Sequence, residues 1–320
     1  MQRIITLTMN PTIDKSTTVD NVLAERKLRC QAPSFEPGGG GINVSRAIMK
    51  LGGTSLAVYA AGGPPGDMLV ELLEQEGLEH DRINIEGWTR ENLTVYEETS
   101  AQQFRFGMPG PEMRQEEWGR CLEKLRNVDP KPVYLVASGS LPPGVPEDFY
   151  GRVAAIARRD GARFVVDTSG GALAKAVEEG VFLVKPNLRE LSHLAGREIE
   201  NEAHQEDVAR EIIEKEKSEV VIISLGAAGA LLVTQEGSRR FRAPTVPIKS
   251  KVGAGDSMVG GIVLALAQGE SLQGAVRMGV AAGAAAVMTP GTELCRKEDT
   301  ERLYRAMSEN EEGIREEDLP

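Results

Sequence analysis

The chain has 320 residues, enough for one large α/β domain or two small ones with a full hydrophobic core. Its net charge of −11 argues against non-specific binding to nucleic acid or to an anionic membrane surface. No apolar run approaches the roughly 18 residues of a membrane span, and the first residues turn polar too soon for a secretory signal, so a cytoplasmic protein is expected.

Strand-like and helix-like segments alternate along most of the chain, which predicts a doubly wound, mainly parallel α/β sheet flanked by helices. The stretch from Asp256 to Met288 is rich in Ala and Gly and predicts two closely packed helices. The predicted strands are Arg3–Met9, Thr54–Ala60, Val133–Ala137, Phe164–Asp167, Phe182–Val184 and Val220–Ser224. The predicted amphipathic helices include Asp67–Glu76, Glu116–Arg126, Pro146–Arg159 and Glu202–Lys217.

In two stretches, Asp14–Leu28 and Thr94–Phe106, apolar and polar residues alternate, and no helical pattern interrupts either stretch. This pattern is typical of strands with one wet face, so a small second sheet is expected. The pattern alone leaves open whether this sheet is a lid, a dimer interface or an edge extension. The end of the chain, Ser308–Pro320, is dense in acidic residues and predicts a disordered tail.

A run of four glycines, Gly38–Gly41, leads into a predicted helix. Consecutive glycines cost backbone entropy, which suggests close approach of the backbone to another group, although a flexible loop is the alternative. Asn43 at the helix entrance can bind a sugar hydroxyl or simply cap the helix. The run lacks G-x-G-x-x-G spacing, and no Gly-Lys pair exists for a phosphate-binding P-loop.

Two polar segments each follow a predicted buried strand, where an α/β sheet binds ligands. In the first, Asn187 and Glu190 lie three residues apart at a helix start and can face a hydrated magnesium ion, or form a helix cap. In the second, Ser224-Leu225-Gly226-Ala227-Ala228-Gly229 can contact a nucleotide or form a hairpin turn.

The segment Gly253-Ala254-Gly255-Asp256 precedes an apolar helix. Small residues admit a ligand close to the backbone, and the free amides of the first helical turn attract an anion. Asp256 beside them can accept a proton from a hydroxyl group. An ordinary turn with a helix cap is the alternative for these four residues alone.

Taken together, these motifs resemble the ribokinase-like sugar kinases, also called the PfkB family, over nearly the whole chain. Within that family the chain is most similar to the bacterial branch that phosphorylates fructose 6-phosphate. The resemblance rests on the opening Thr6-Leu7-Thr8, Lys27-Leu28-Arg29-Cys30, Phe35-Glu36-Pro37 with its glycines, Ser138-Gly139-Ser140-Leu141-Pro142-Pro143-Gly144, the Gly253–Asp256 motif and Gly291-Thr292.

The resemblance implies a kinase that transfers phosphate from ATP to the 1-hydroxyl of fructose 6-phosphate, with Mg²⁺. Asp256 is then the general base, and Gly253, Ala254 and Gly255 form the anion hole. The residues that would bind the sugar are Asp14, Gly39, Asn43 and Ser138. Those that would bind its phosphate are Lys27, Arg90 and Arg105. The nucleotide falls on Asn187, Ser224, Gly226 and Gly229, magnesium on Asn187 and Glu190, and a possible K⁺ on Ser250, Val252, Ala286 and Gly291.

The resemblance also implies one kinase domain over residues 1–309, a lid from about 11–36 and 86–108 that pairs two subunits into a homodimer, and a separate tail over 310–320. Lys251-Val252 stands where much of the family has Asp-Thr, a departure shared with the phosphosugar branch. Thr289 and Glu293 replace Asn and Arg, which weakens the K⁺ assignment. The alternative functions are those of 1-phosphofructokinase, tagatose-6-phosphate kinase or a non-catalytic sugar-phosphate or nucleotide sensor.

Overall fold

The computed structural model describes residues 2–312, with side chains described as far as residue 309. Among these residues the main sheet has nine strands, most of them buried on both faces. The strands are β1 (Ile4–Thr8), β4 (Leu56–Ala61), β5 (His80–Asn84), β8 (Tyr134–Ser138), β9 (Arg163–Asp167), β10 (Val181–Val184), β11 (Ser218–Ser224), β12 (Ala230–Thr234) and β13 (Gly237–Phe241).

The strand order is β13-β12-β11-β10-β9-β8-β1-β4-β5. All neighbours from β11 to β5 pair in parallel, while β12 and β13 pair antiparallel at one edge. The chain builds outward from β1 to β4 and β5, and then returns to place β8 on the other side of β1. The expected mainly parallel, doubly wound sheet is therefore confirmed, and its switch point lies between β1 and β8.

A small sheet stands beside the main one, as the alternating stretches predict. Its strands follow the order β3-β2-β6-β7, with β2 and β6 parallel and the outer pairs antiparallel. The prediction of continuous strand from Asp14 to Leu28 is wrong in its second half. The strand ends at Val19, and a turn follows in which Glu25 has a positive φ of 58°. The four strands are β2 (Thr12–Val19), β3 (Ser34–Gly38), β6 (Arg90–Glu97) and β7 (Gln102–Phe106).

Helices cover both faces of the main sheet. One face carries α3 (Gln115–Asn127), α4 (Phe149–Arg159), α5 (Gly170–Glu178), α6 (Leu188–Ala195) and α7 (Glu202–Glu214), and its apolar core includes Trp118, Phe149 and Leu173. The opposite face carries α1 (Gly40–Lys50), α8 (Ala254–Ala267), α9 (Leu272–Val287) and α10 (Lys297–Glu312). The remaining helix, α2 (Gly63–Glu76), packs at the base of the small sheet.

The Ala- and Gly-rich stretch forms two closely packed helices, as predicted. A Cβ on Gly279 of α9 would lie 2.4 Å from Cγ1 of Ile262 in α8, and one on Gly261 would lie 3.0 Å from the Met278 carbonyl oxygen. Glycine at both positions therefore lets the two backbones approach each other, which fixes the direction of α8 and of the segment at its start.

Helix bounds differ modestly from the predictions. Helix α4 begins at Phe149 rather than Pro146, and α7 ends at Glu214 rather than Lys217, before Glu216 at φ 53°. Helix α10 continues to Glu312, five residues into the acidic stretch Ser308–Pro320 for which a disordered tail is predicted, and the rest of that stretch lies outside the described residues. Within the described part, no helix is long and apolar enough to cross a membrane.

Candidate active site

Polar residues gather where the parallel strands of the main sheet end. Ser138 is the last residue of β8, Asp167 ends β9, and Lys185 directly follows β10. An open α/β sheet binds ligands in the crevice outside the carboxyl ends of its strands, next to the switch point. The crevice between β1 and β8 is therefore the expected place for a site, and Ser138 lies at its edge.

Asp256 lies in this crevice, held by side chains from two other parts of the fold. It is in the first turn of α8. The Asn43 Nδ2 group of α1 donates a hydrogen bond of 2.9 Å to its Oδ2, and the Ser138 hydroxyl donates one of 3.4 Å to its Oδ1. Three residues that are distant in sequence, and that the family resemblance implies as base and sugar contacts, therefore meet at one carboxylate.

The electrostatic environment raises the pKa of Asp256 to about 6. Burial is the main cause, because a charged carboxylate loses hydration, and the negative charge of Asp167 acts in the same direction. The hydrogen bonds from Asn43 and Ser138 and the positive charge of Lys185 oppose this shift. The Asp256 carboxylate is thus ionised at neutral pH, yet basic enough to accept a proton efficiently.

The start of α8 presents free backbone amides beside Asp256. Gly253 caps the helix with a φ of 74°, and Ser257 N donates the first intrahelical hydrogen bond to the Gly253 carbonyl at 2.8 Å. The amides of Ala254 and Gly255 precede that bond, so they belong to the positive end of the helix. Free amides at a helix start attract anions, so this geometry is compatible with the predicted anion hole, which stays a prediction.

A buried ion pair lies behind this helix start. Lys185 is 5% exposed, and its Nζ lies 3.2 Å from Oδ1 of Asp167. Burial by itself would lower the Lys185 pKa, but the charges of Asp167, Glu190 and Asp256 raise it overall. A Cβ on Gly255 would lie 3.7 Å from the same Nζ. A fixed positive charge therefore lies next to the first turn of α8.

The four glycines are tightly packed rather than loose. A Cβ on Gly40 would lie 2.4 Å from the Ser138 hydroxyl, and one on Gly41 would lie 2.5 Å from the Leu7 carbonyl oxygen. A Cβ on Gly38 would lie 2.3 Å from Asp14 Oδ2, and Gly39 has a φ of 113°. The close approach predicted from the sequence is therefore an approach to the end of β1 and to the Ser138 loop.

Asp14 and Arg90 lie on the small sheet next to this run. Asn92 Nδ2 donates a 3.0 Å hydrogen bond to Asp14 Oδ1, and burial raises the Asp14 pKa. Arg90 donates to the carbonyl oxygens of Asn10 and Met108 at 3.0 and 3.1 Å. Burial lowers the Arg90 pKa, and its Nε is buried without a hydrogen-bond partner among the described residues. Arg90 is thus held by its terminal nitrogens at the mouth of the crevice.

Lys27 and Arg105 make no recorded contact with Asp14 or Arg90. Lys27 is exposed in the turn after β2, and Arg105 is exposed on β7. Arg105 pairs with Thr94, and Arg90 lies four residues before Thr94 on the same strand, so both arginines share one face of the small sheet. The structure brings Asp14 and Arg90 together but records no contact of Lys27 or Arg105 with either.

The two predicted nucleotide segments are adjacent in the fold. Asn187 and Ser224 form an isolated parallel bridge, and Ser224 N donates to the Pro186 carbonyl at 2.9 Å. Gly226 has a φ of 57° with open space where a Cβ would lie, while a Cβ on Gly229 would lie 1.9 Å from the Phe241 carbonyl oxygen. The segment is thus a tight β11–β12 turn, one of the two predicted alternatives, and its Gly226 face is open.

Asn187 and Glu190 form a reciprocal helix cap. Glu190 N donates to Asn187 Oδ1, and Asn187 N donates to Glu190 Oε2, both at 2.9 Å. Burial raises the Glu190 pKa. No group of three or more His, Cys, Asp or Glu residues suited to hold a metal occurs in the part of the chain described.

The residues predicted for a monovalent cation lie around the start of α8 and the end of α9. The Ser250 hydroxyl accepts a 3.2 Å hydrogen bond from Val252 N, and the Ala286 carbonyl accepts a 2.8 Å bond from the Thr289 hydroxyl. Gly291 has a φ of 55°, and a Cβ there would lie 2.9 Å from Glu36 Oε2. Glu293 pairs with Arg296 at 2.6 Å.

Two charged residues of the site were missed as site residues by the sequence reasoning, Asp167 and Lys185. Each directly ends or follows a strand of otherwise apolar residues, Phe164-Val165-Val166 or Phe182-Leu183-Val184. A charge in that position was an available signal, because residues at the carboxyl ends of parallel strands line the crevice. Their pairing, however, depends on β9 and β10 being neighbours.

The doubly wound sheet with its switch-point crevice and the small second sheet define an α/β protein with a ribokinase-like fold. Residues 5–299 match the model of the pfkB family carbohydrate kinases, and the chain belongs to that family.

Phosphofructokinases are among its curated relatives. The chain is 47% identical to ATP-dependent 6-phosphofructokinase isozyme 2 of Mycobacterium tuberculosis over 307 residues, covering 96% of this chain and 90% of the relative. It is 32% identical to Bacillus subtilis 1-phosphofructokinase over 292 residues, covering 91% and 95%.

Solved structures of Escherichia coli phosphofructokinase-2 superpose closely on this fold. The potassium complex has a TM-score of 0.93 at 44% identity, and the fructose-6-phosphate complex has 0.91 at 43%, each covering 96% of this chain and all of that chain. The same enzyme has also been solved in a tetrameric inhibited form. The resemblance to the kinase family, and within it to the fructose 6-phosphate branch, is confirmed.

Proposed function

We propose that this chain transfers the γ-phosphate of ATP to the 1-hydroxyl of fructose 6-phosphate, giving fructose 1,6-bisphosphate and ADP, a step of glycolysis. The observation that carries the proposal is the Asp256 carboxylate at the open start of α8, held by Asn43 and Ser138. The similarity to 6-phosphofructokinases at 43–47% identity supports the choice of sugar.

Asp256 acts as the general base. Its carboxylate takes the proton of the sugar hydroxyl as that oxygen attacks phosphorus, and the bond from phosphorus to the ADP oxygen breaks. The amides of Gly253, Ala254 and Gly255 stabilise the charge on the transferring group. The raised pKa of Asp256 fits this role, because a carboxylate with a pKa near 6 binds a proton more tightly than an ordinary carboxylate and is still ionised at neutral pH.

The sugar lies between the glycine run and the small sheet. Asp14, Gly39, Asn43 and Ser138 orient its hydroxyl groups, and Lys27, Arg90 and Arg105 bind its phosphate. The unpartnered Nε of Arg90 supports the assignment of that residue, because a buried guanidinium nitrogen without an acceptor favours an incoming anion. For Lys27 and Arg105 the support is their positive charge and, for Arg105, the face it shares with Arg90.

The nucleotide lies over the other half of the crevice, on Asn187, Ser224, Gly226 and Gly229. Magnesium bound with ATP neutralises phosphate charge. Asn187 and Glu190 fit such an ion through water, since their hydrogen bonds to each other leave one Glu190 oxygen outside the cap.

We propose that a monovalent cation binds the oxygens of Ser250, Val252, Ala286 and Gly291. A structure of the E. coli relative in complex with potassium supports the choice of cation. Backbone carbonyl and hydroxyl oxygens are ligands that such a cation accepts. The Ala286 carbonyl already accepts the Thr289 hydroxyl, so that oxygen would be shared.

We propose that the small sheet closes over the sugar and pairs two copies of the chain into a homodimer. Exposed apolar side chains support the pairing, since Tyr96, Phe106 and Met108 on or beside the small sheet are 39%, 46% and 46% exposed. The tetrameric inhibited form of the E. coli relative supports self-association, although it is a tetramer and not a dimer. A cytoplasmic location, and the division into a kinase domain and a tail, stay predictions from the sequence.

The test is the initial rate of ADP release with magnesium and ATP, measured side by side with fructose 6-phosphate, fructose 1-phosphate and tagatose 6-phosphate. The expected result is a clear kcat/KM preference for fructose 6-phosphate. Preference for fructose 1-phosphate would support the alternative that the B. subtilis relative raises. The Asp256→Asn variant serves as the control, and no turnover of any phosphosugar would leave the sensor alternative.

A further inference from the structure

Arg46 of α1 is a buried arginine that contacts several of the segments around Asp256. It is 1% exposed, and its Nε and Nη2 bind both carboxylate oxygens of Glu76 at 2.8 and 2.6 Å. A side chain of this size and charge is almost never fully buried unless it is paired. The bidentate pair with Glu76 satisfies one side of the guanidinium and leaves Nη1 for other partners.

Nη1 of Arg46 points toward three acceptors near the active site. It lies 3.0 Å from the Pro37 carbonyl, 3.1 Å from the Thr292 carbonyl and 3.4 Å from Asn43 Oδ1. These groups belong to the start of the glycine run, the loop after α9 and the residue that binds Asp256. Arg46 therefore joins the parts of the chain that surround the proposed base.

The contacts of Asn43 with Arg46 and with Asp256 together decide which way its amide faces. A guanidinium only donates hydrogen bonds, so the group of Asn43 next to Arg46 must be its oxygen. The amide nitrogen is then turned to the opposite side, where it donates to Asp256 Oδ2 at 2.9 Å. The reversed amide would place its oxygen against the Asp256 carboxylate and its NH2 group against the Arg46 guanidinium, so both hydrogen bonds would be lost.

We propose that Arg46 is a positioning residue for the phosphoryl transfer, acting through the orientation of Asn43 on the Asp256 carboxylate. It touches neither the carboxylate nor, in the proposed site, the substrates. Its importance for turnover rests on the proposed function, whereas its effect on Asp256 does not.

Four charged or polar side chains influence the pKa of Asp256, and a test of Arg46 must isolate the contribution of Asn43. Asn43 faces the carboxylate from α1, Ser138 from β8, Asp167 from the end of β9 and Lys185 from the end of β10. Only the Asn43 contact depends on Arg46 directly. Loss of the amide donor is expected to raise the pKa of Asp256 above its value of about 6, since that hydrogen bond favours the charged form.

The experiment follows the side-chain carboxyl ¹³C resonance of Asp256 against pH in the full chain, with the resonance assigned by its loss in Asp256→Asn. In Arg46→Lys, the shorter and non-planar donor group cannot reach all the acceptors of the guanidinium. The expected result is a midpoint about one pH unit above that of the wild type, the size expected for losing one hydrogen bond to a charged group.

Two comparisons separate positioning from loosening of the fold. Arg82→Lys is the matched control, because Arg82 also bridges a carbonyl, Ala61 at 3.0 Å, and a carboxylate, Asp67 at 2.6 Å, without contacting Asn43. It is expected to leave the midpoint unchanged. In an Asn43→Ala background, Arg46→Lys is expected to add no further shift.

An unchanged midpoint in Arg46→Lys, or an equal shift in both backgrounds, would overturn the proposal. If Arg46→Lys does not fold, the pair Arg46→Met with Glu76→Leu removes both charges together and keeps an apolar contact. In that double variant the proposal expects the same upward shift. Because the resonance reports on Asp256 without turnover, absence of kinase activity would count against the proposed function and not against this role of Arg46.

Discussion

Glu36 of β3 accepts two hydrogen bonds from Thr292, one from its amide nitrogen at 3.0 Å and one from its hydroxyl at 2.7 Å. The two residues are 256 positions apart, and they join the small sheet to the loop after α9. This loop carries Gly291, and its Thr292 carbonyl accepts from Arg46. The sugar side and the proposed cation side of the site are therefore mechanically connected at Glu36.

We expect Thr292→Val to lower the free energy of unfolding by roughly 1–2 kcal/mol, because it removes one hydrogen bond to a charged acceptor and keeps the size of the side chain. Denaturant unfolding measures the change. In a double-mutant cycle with Glu36→Gln, we expect a coupling energy of about 1 kcal/mol. Strict additivity of the two changes would show that the contact carries no energy.

Asp256→Asn is expected to keep the fold and sugar binding but lose most turnover. A general base typically contributes about 10²- to 10⁴-fold to a rate, and the amide has the shape of the carboxylate without its basicity. Steady-state kcat and the calorimetric Kd for fructose 6-phosphate check this. Near wild-type kcat in the variant would remove Asp256 from the role of base.

The pH profile follows from the same carboxylate. The base must be ionised to act, so kcat/KM is expected to fall as the pH drops through the raised pKa of about 6. An ordinary aspartate would keep activity to about pH 4. Rates measured from pH 4.5 to 8, on enzyme shown to stay folded, give the position of the acidic limb. Activity that stays constant down to pH 4.5 would contradict the environment described for Asp256.

The pH dependence of the free energy of unfolding has the opposite sign to that of activity: ionisation of Asp256 activates the enzyme but destabilises the fold. Because the folded pKa of Asp256 lies above its unfolded value of 3.8, ionisation of Asp256 costs stability as the pH rises from 3.8 toward 6. We expect Asp256→Asn to raise the free energy of unfolding at pH 7 by up to about 3 kcal/mol, a gain that disappears below about pH 4. Urea unfolding of both proteins at pH 7 and pH 3.5 tests this, and equal stability at pH 7 would contradict it.

Gly253 and Gly77 provide a matched pair for the helix start. Both have a φ of 74°, but a Cβ on Gly253 would lie 2.2 Å from Cδ2 of Leu294, and one on Gly77 would meet nothing within 4 Å. Gly77→Ala is expected to cost about 1 kcal/mol of stability with kinetics unchanged, from the left-handed conformation alone.

Gly253→Ala is expected to cost a further 1–3 kcal/mol or so, the range for overpacking, and to lower kcat by displacing the first amides of α8. Unfolding curves and initial rates of the two variants provide the comparison. If both variants lost the same stability and kept the same kcat, the close packing of Leu294 on the helix start would affect neither stability nor turnover.

The sequence by itself determined the elements and the chemistry of single segments. Apolar runs such as Val133–Ala137 and Val220–Ser224 predicted strands, and the glycine run and the Gly253–Asp256 motif predicted close backbone approach and an open helix start. These predictions hold because hydrophobic period, glycine content and helix-start residues act over a few neighbouring positions. The short polar strands β5 and β13 were missed, since His80–Asn84 and Gly237–Phe241 lack that period, and the apolar strand β12 was not among the predicted strands either.

Only the tertiary structure decided which of these segments meet. The order of β8, β9 and β10 places Ser138, Asp167 and Lys185 side by side, and the packing of α1 against α8 brings Asn43 to Asp256, 213 positions away in the chain. The contacts of Arg46 with Asn43, Glu76 and Thr292 had no local signal, because an arginine in an amphipathic helix is ordinarily exposed. Pairing of buried charges depends on long-range neighbours, and the burial that raises the pKa of Asp256 exists only once those neighbours have assembled.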